Sequence, residues 1–312
     1  MRTLTARLDP DLGVRILSVR TLRYSAPAAP GDDRPPHPRA ASGLTWMRGR
    51  LLVIQDDAAF LAAVSGDDVA AIALPRGADD RRRFEVGLGN KHHKLDLEAC
   101  VAIDDEVWLF GSGSTAARDR IALLGQDQVV RIADVAPLYD RVRSAVGGPI
   151  NLEGAACVGD DLWLFHRGNT GPGDLGPAVV RFARTAVETW VRGARADAAP
   201  EPTGCARFDL GTIDGVRLGF TDAVAAGARV YYLAVAEASP NAVDDGRVHG
   251  SQLGVIDGAV VRAARLELDG APIKAEGLAF ALGGSRCAWI AIDPDDVDAP
   301  TQVCEIELTG AW

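Results

Sequence analysis

The sequence lacks the cysteine spacing of a metal knuckle or a disulfide framework. Its five cysteines, Cys100, Cys157, Cys205, Cys287 and Cys304, form no C-x-x-C pair and are scattered along the chain. An odd, dispersed set argues against a small secreted scaffold. Cys100 and Cys157 sit in apolar runs, where a thiol serves as a small hydrophobe. The N-terminal stretch has no apolar leader core, and no run reaches the length that spans a bilayer. A cytoplasmic protein with no membrane role is the expectation. Excess positive charge is also lacking. Lys and Arg number 33 against 43 Asp and Glu, for a formal charge of -10. That disfavours a duplex-wide phosphate-binding surface, so no nucleic acid partner is expected. G-x-S-x-G, G-x-x-x-x-G-K-[ST] and H-E-x-x-H are all absent. No organic cofactor is expected.

What is present is a repeat. Lys94-Leu95-Asp96-Leu97-Glu98-Ala99-Cys100 leads through an acidic turn to Val107-Trp108-Leu109-Phe110. The pattern returns at Asn151-Leu152-Glu153-Gly154-Ala155-Ala156-Cys157 with Leu162-Trp163-Leu164-Phe165, and again at Lys274-Ala275-Glu276-Gly277-Leu278 with Trp289-Ile290-Ala291-Ile292. Ser42, Glu98, Glu153, Asp222 and Glu276 mark the starts, 56, 55, 69 and 54 residues apart. Such periods signal repeat architectures, and four short strands per period fit a propeller blade. The runs are short and rich in Val, Ile, Trp and Phe, which argues against a helical solenoid. The 34 glycines suit many tight turns.

The expected fold is all-β, a five-bladed β-propeller in a single domain over residues 1–312. Its blades fall near 42–75, 94–135, 151–210, 220–268 and 274–308. The last has only three strands of its own, so residues 12–24 are expected to supply its outer strand and close the ring. Six blades is the alternative, because the span from Glu153 to Asp222 has room for extra strands.

In such a fold the strand starts and the ends of the following strands meet on one face. Residues two apart on a strand point the same way. Asp96 with Glu98, Asn151 with Glu153, and Lys274 with Glu276 therefore face alike. His166 and Arg167 follow an apolar strand and join them. Carboxylates crowded together repel one another. A hard cation such as Ca²⁺ relieves this, as do pairing to Lys94, Arg167 and Lys274 and protonation of one carboxyl. Glu98, Glu153, Asp222 and Glu276 are the expected metal ligands. The alternative for each glutamate is architectural, a carboxylate capping backbone N–H groups of a neighbouring strand. His92 and His93 precede the strand and are candidates for moving a proton, with Glu98 and Glu153 as further catalytic candidates. Lys94, Asp96, Asn151, His166, Arg167 and Lys274 are the substrate-binding candidates.

Glu153-Gly154-Ala155-Ala156 and Glu276-Gly277-Leu278-Ala279 resemble the E-G-[LA]-[AT] signature of bacterial propeller families. These include the esterase-like phytase group and uncharacterised cytosolic families. Glu98 departs from the signature, being followed by Ala99. The phytase-like resemblance implies metal-assisted phosphoester hydrolysis on a funnel-shaped face. The combined expectation is a metal-assisted hydrolase of a small anionic phosphoester or lactone. The alternative is a non-catalytic propeller scaffold that binds a ligand or protein at the same mouth.

Overall fold

A computed structural model of the chain describes residues 1–312 apart from 78, 194–197, 242–245 and 284–285. The chain opens with β1 (Arg2–Leu8) and β2 (Leu12–Thr21). An antiparallel meander follows, of β3 (Ala41–Met47), β4 (Arg50–Gln55), β5 (Phe60–Ser65) and β6 (Asp68–Ala73). A second contains β7 (Leu97–Ile103), β8 (Glu106–Gly111), β9 (Arg120–Leu124) and β10 (Val130–Asp134). Helix α1 (Ala136–Val146) leads to β11 (Leu152–Val158), β12 (Asp161–His166) and β13 (Ala178–Ala183). Helix α2 (Arg184–Arg192) precedes β14 (Gly204–Asp209). Next come β15 (Thr212–Ile213), β16 (Val216–Ala226), β17 (Arg229–Glu237), β18 (Val248–Asp257), β19 (Val260–Leu268) and β20 (Ala271–Pro272). The chain ends with β21 (Ala275–Phe280), β22 (Cys287–Ile292) and β23 (Gln302–Gly310).

These strands do not build the expected closed five-bladed propeller, nor a six-bladed or phytase-like one. β1 lies parallel between β14 and β19, with Arg2 opposite Ala206 and Ala6 opposite Val261. It thereby joins two strand sets into one eleven-stranded sheet. That sheet curls strongly but stays open, its edges 18 Å apart. Three separate four-stranded sheets accompany it: β3 to β6, β7 to β10, and β21 to β23 with β2 at the edge. The repeat gave Arg2–Leu8 no partner. Its pairing is parallel and long-range, and no local pattern encodes that.

The opening strands β3, β7, β11, β16 and β21 pack against one another without a shared ladder. Each has a register shift at the same place, which makes Ser42, Glu98, Glu153, Thr221 and Glu276 the extra residues. A bulge bends its strand and re-aims the side chain at that point. The glycine after the bulge answers a close approach. A Cβ on Gly277 would stand 3.0 Å from the Gly43 backbone carbon, and one on Gly154 would stand 3.1 Å from the Ala223 nitrogen. The Glu-Gly pair is thus explained by how the opening strands fit together.

Apolar clusters fill the spaces between neighbouring sheets. Phe220 meets Phe165 and Tyr232 edge-on with ring centroids 5.2 Å apart, all three fully buried. Such pairs add about 0.5–1.5 kcal/mol each beyond area burial. Helix α1 buries Leu138, Tyr139 and Val142 in the cluster that also holds Trp108 and Phe182. A left-handed Gly147 terminates it.

Candidate functional site

The five bulge residues diverge in use. The short hydroxyl residues bridge strands: Ser42 Oγ donates to the Leu97 carbonyl at 2.6 Å, and Thr221 Oγ1 donates to the Ala275 carbonyl at 2.6 Å. The longer Glu98, Glu153 and Glu276 line a cavity of about 200 Å³. Among the described residues its lining has eleven carboxylates against five cationic side chains. Such an excess calls for protonation or a cation.

On one side, Lys94 Nζ bridges Asp56 Oδ2 and Asp96 Oδ1, lying 2.5 Å from the latter. Asp96 Oδ2 pairs with Arg118 Nη1 at 2.7 Å and accepts a hydrogen bond from Ser112 Oγ. Asp96 holds φ 54, a left-handed conformation that aspartate tolerates better than most residues. Burial opposes its ionisation, but Lys94 and Arg118 outweigh burial and hold its carboxyl below the usual range. Burial likewise opposes the Lys94 ammonium, yet Asp56, Asp96 and Glu98 lift it well above an ordinary lysine. Glu98 feels Lys94 as well, but more weakly than it feels burial and its acidic neighbours. Burial, then Asp56, Asp96 and Glu153, push its carboxyl well above the ordinary value. It is 8% exposed, and among the described residues its carboxylate has no hydrogen-bond or ion-pair partner. Ligand oxygens of Asp56, Asp96 and Glu98 all lie within 4.8 Å of one another. This buried triad can chelate a divalent cation.

On the opposite side, Arg167 and Lys274 offset part of the negative charge of five carboxylates. Arg167 reaches Glu153 at 3.2 Å, Glu237 at 2.5 Å and Glu276 at 3.7 Å. Lys274 Nζ lies 2.5 Å from Asp295, 3.4 Å from Asp293 and 3.4 Å from Glu276. Asn151 Nδ2 donates to Glu153 Oε1 at 2.6 Å. Burial still raises Glu153 to about 7 despite Arg167, and Asp293 to about 7 despite Lys274.

The other expected site residues are dispersed. Asp222 leaves the cavity: its carboxylate accepts the Ala223 and Leu278 N–H groups, each at 2.7 Å. It stands one residue past the bulge at Thr221, so it faces the neighbouring strand. The expected ligand set of Glu98, Glu153, Asp222 and Glu276 is therefore not assembled at the triad, which shares only Glu98 with it. His92 and His93 stack on each other at 3.9 Å in a short 3-10 turn and do not line the cavity. His166 is buried, with Nδ1 accepting the Asn151 N–H at 3.1 Å and Nε2 3.5 Å from Asp174. The expected hydrolysis on a propeller funnel is corrected accordingly. There is no propeller face or closed funnel, and the imidazoles assigned to proton transfer stand outside the cavity. Arg118 carried no sequence signal, since it lies in a 3-10 turn between β8 and β9, away from the recurring strand starts. Asp56 as a ligand was within reach, because it directly follows a second strand as its counterparts do.

No helix among the described residues is long and apolar enough to cross a membrane. No curated protein matches the chain. Among solved structures it is similar to MPT-4, a mannose phosphorylase from Leishmania mexicana in complex with phosphate ion. The identity is 13% over 94% of this chain and 89% of that one, with TM-score 0.47. A structural genomics protein of unknown function from Bacteroides thetaiotaomicron shares 10% identity over 93% of this chain and 76% of its own, with TM-score 0.41. The N-terminal domain of Nup159 shares 7% identity over 99% of both chains, with TM-score 0.37. Likenesses this distant carry no argument about activity. The chain belongs to a family of unknown function, DUF6929, whose model matches residues 37–308.

Proposed function

We propose that the chain binds a divalent cation, Ca²⁺ foremost, through Asp56, Asp96 and Glu98. The state of Glu98 carries this reading. A largely buried carboxyl without a protein donor and among other carboxylates favours keeping its proton or receiving a cation. The donors are all hard oxygens, which suit Ca²⁺ or Mg²⁺ over soft metals, and Ca²⁺ tolerates irregular shells. An ion there competes with Lys94 for Asp56 and Asp96. Its remaining positions would take water or an oxygen of a small anionic molecule admitted by the cavity. The chain's formal charge of -10 supports an ion or small ligand over nucleic acid. Its five free thiols support a reducing, cytoplasmic setting.

The test is calorimetric titration of chelator-treated protein with Ca²⁺ and Mg²⁺, alongside thermal melts. One ion per chain and a raised melting temperature are expected. Saturation at a hundred times Kd stabilises the fold by about 2.7 kcal/mol. Glu98→Gln should abolish the shift while still folding. No binding heat and no melting shift with either ion would overturn the reading.

A further inference from the structure

We propose that a second cavity, unconnected with the cation site, binds a small organic acid with a flat apolar body. This cavity of about 450 Å³ lies along β1, β12, β13 and β14, where the large sheet curls. Its volume falls in the range of small-molecule pockets. The apolar walls come from Leu4, Val179, Phe208 and Ile256. Leu4 stands directly across from Phe208 in the parallel β1–β14 ladder, so both contribute to one wall.

The polar groups are all donors. Trp163 and Arg181 are cross-strand neighbours, and the Arg181 guanidinium carbon lies 5.7 Å from the Trp163 ring centroid. Trp163 Nε1 is buried without a hydrogen-bond partner. Arg2 joins Arg181 in the lining. Among the described residues neither guanidinium group forms a hydrogen bond or an ion pair. Gly204 makes room for one of them, since a Cβ there would stand 2.5 Å from Arg181 Nη2. Two guanidinium groups and an indole N–H suit a carboxylate, which only accepts and which arginine can hold in a bidentate manner. The indole face and apolar walls suit a planar hydrocarbon body.

The probe is 2-naphthoate, with neutral 2-naphthamide as its isostere, followed by calorimetry and saturation-transfer NMR on the full chain. Wild-type protein should bind the acid at least about tenfold more tightly than the amide, the usual loss for a charge-assisted hydrogen bond. Arg181→Gln should bring the acid down to the level of the amide and leave amide binding unchanged. Equal affinity for acid and amide in the wild type, or no binding of the acid, overturns the proposal without recourse to any variant. An Arg181→Gln protein that folds and still prefers the acid overturns it too.

Discussion

Asp222 Oδ2 on β16 accepts the Leu278 N–H of β21 at 2.7 Å. Its other oxygen takes the Ala223 N–H, so one buried carboxylate ties two opening strands together. Asp222→Ala should lower stability by about 2–3 kcal/mol, the cost of leaving buried donors unmet. Chemical denaturation measures it. Cation binding in the folded variant should be unchanged, and a lost calcium response would place Asp222 at the ion after all.

Lys94 is the competitor of any ion at Asp56 and Asp96. Lys94→Met should destabilise the metal-free protein by roughly 3 kcal/mol, since it strands buried carboxylates. It should also tighten Ca²⁺ binding by about tenfold or more, as removing an ammonium spares the ion that exchange. Melting curves with and without Ca²⁺ report both effects. An unchanged affinity would show that the ion does not share the Lys94 position.

Arg167 pairs with Glu153, Glu237 and Glu276 together, and Lys274 shares the last two. Arg167→Met should cost about 3–5 kcal/mol, because it leaves uncompensated buried charge. The loss should be smaller at pH 5 than at pH 8, as Glu153 and Glu276, both raised by burial, then carry protons. Denaturant midpoints at the two pH values check this.

The pH dependence of the unmodified protein has a definite sign. Glu153, Asp57 and Asp293 each rise to about 7, mainly by burial. A raised carboxyl binds its proton more tightly in the folded state, so stability falls as pH climbs between the unfolded value and about 7. Metal-free protein should therefore melt lower at pH 7.5 than at pH 5.5. Ca²⁺ affinity should run the other way, because Glu98 must give up its proton to ligate. A metal-free melting temperature that rises across that interval would contradict these assignments.

Most strand positions were legible in the sequence, though β1 and the two helices were not, and so was the pairing of acidic and basic residues around the strands. Lys94, Asp96, Glu98, Asn151, Glu153, Arg167, Lys274 and Glu276 do line one cavity. Spacing could not reveal the bulge. With Thr221 as the extra residue, the match of Asp222 to the glutamates fails by one position and sends its carboxylate to backbone. Hydropathy could not show how the sheets join, since β1 is mostly exposed and reads as a loose terminal segment. The histidines of Asn90-Lys91-His92-His93 stood next to the site in sequence, but a short turn carries them away from it.

β1 also fixes the order in which the large sheet can be completed. Arg2–Leu8 is synthesised before either of its neighbours, and its last ladder partners, Val261 to Ala263, come near the opposite end of the chain. At ordinary elongation rates that interval is roughly 10 s or more. Until β14 is made the segment has nothing to pair with, and its other edge stays open until β19 follows. The fold thus delays completion of its central seam until Ala263 has been made. It has a high contact order and a long window in which nascent chains can pair with one another.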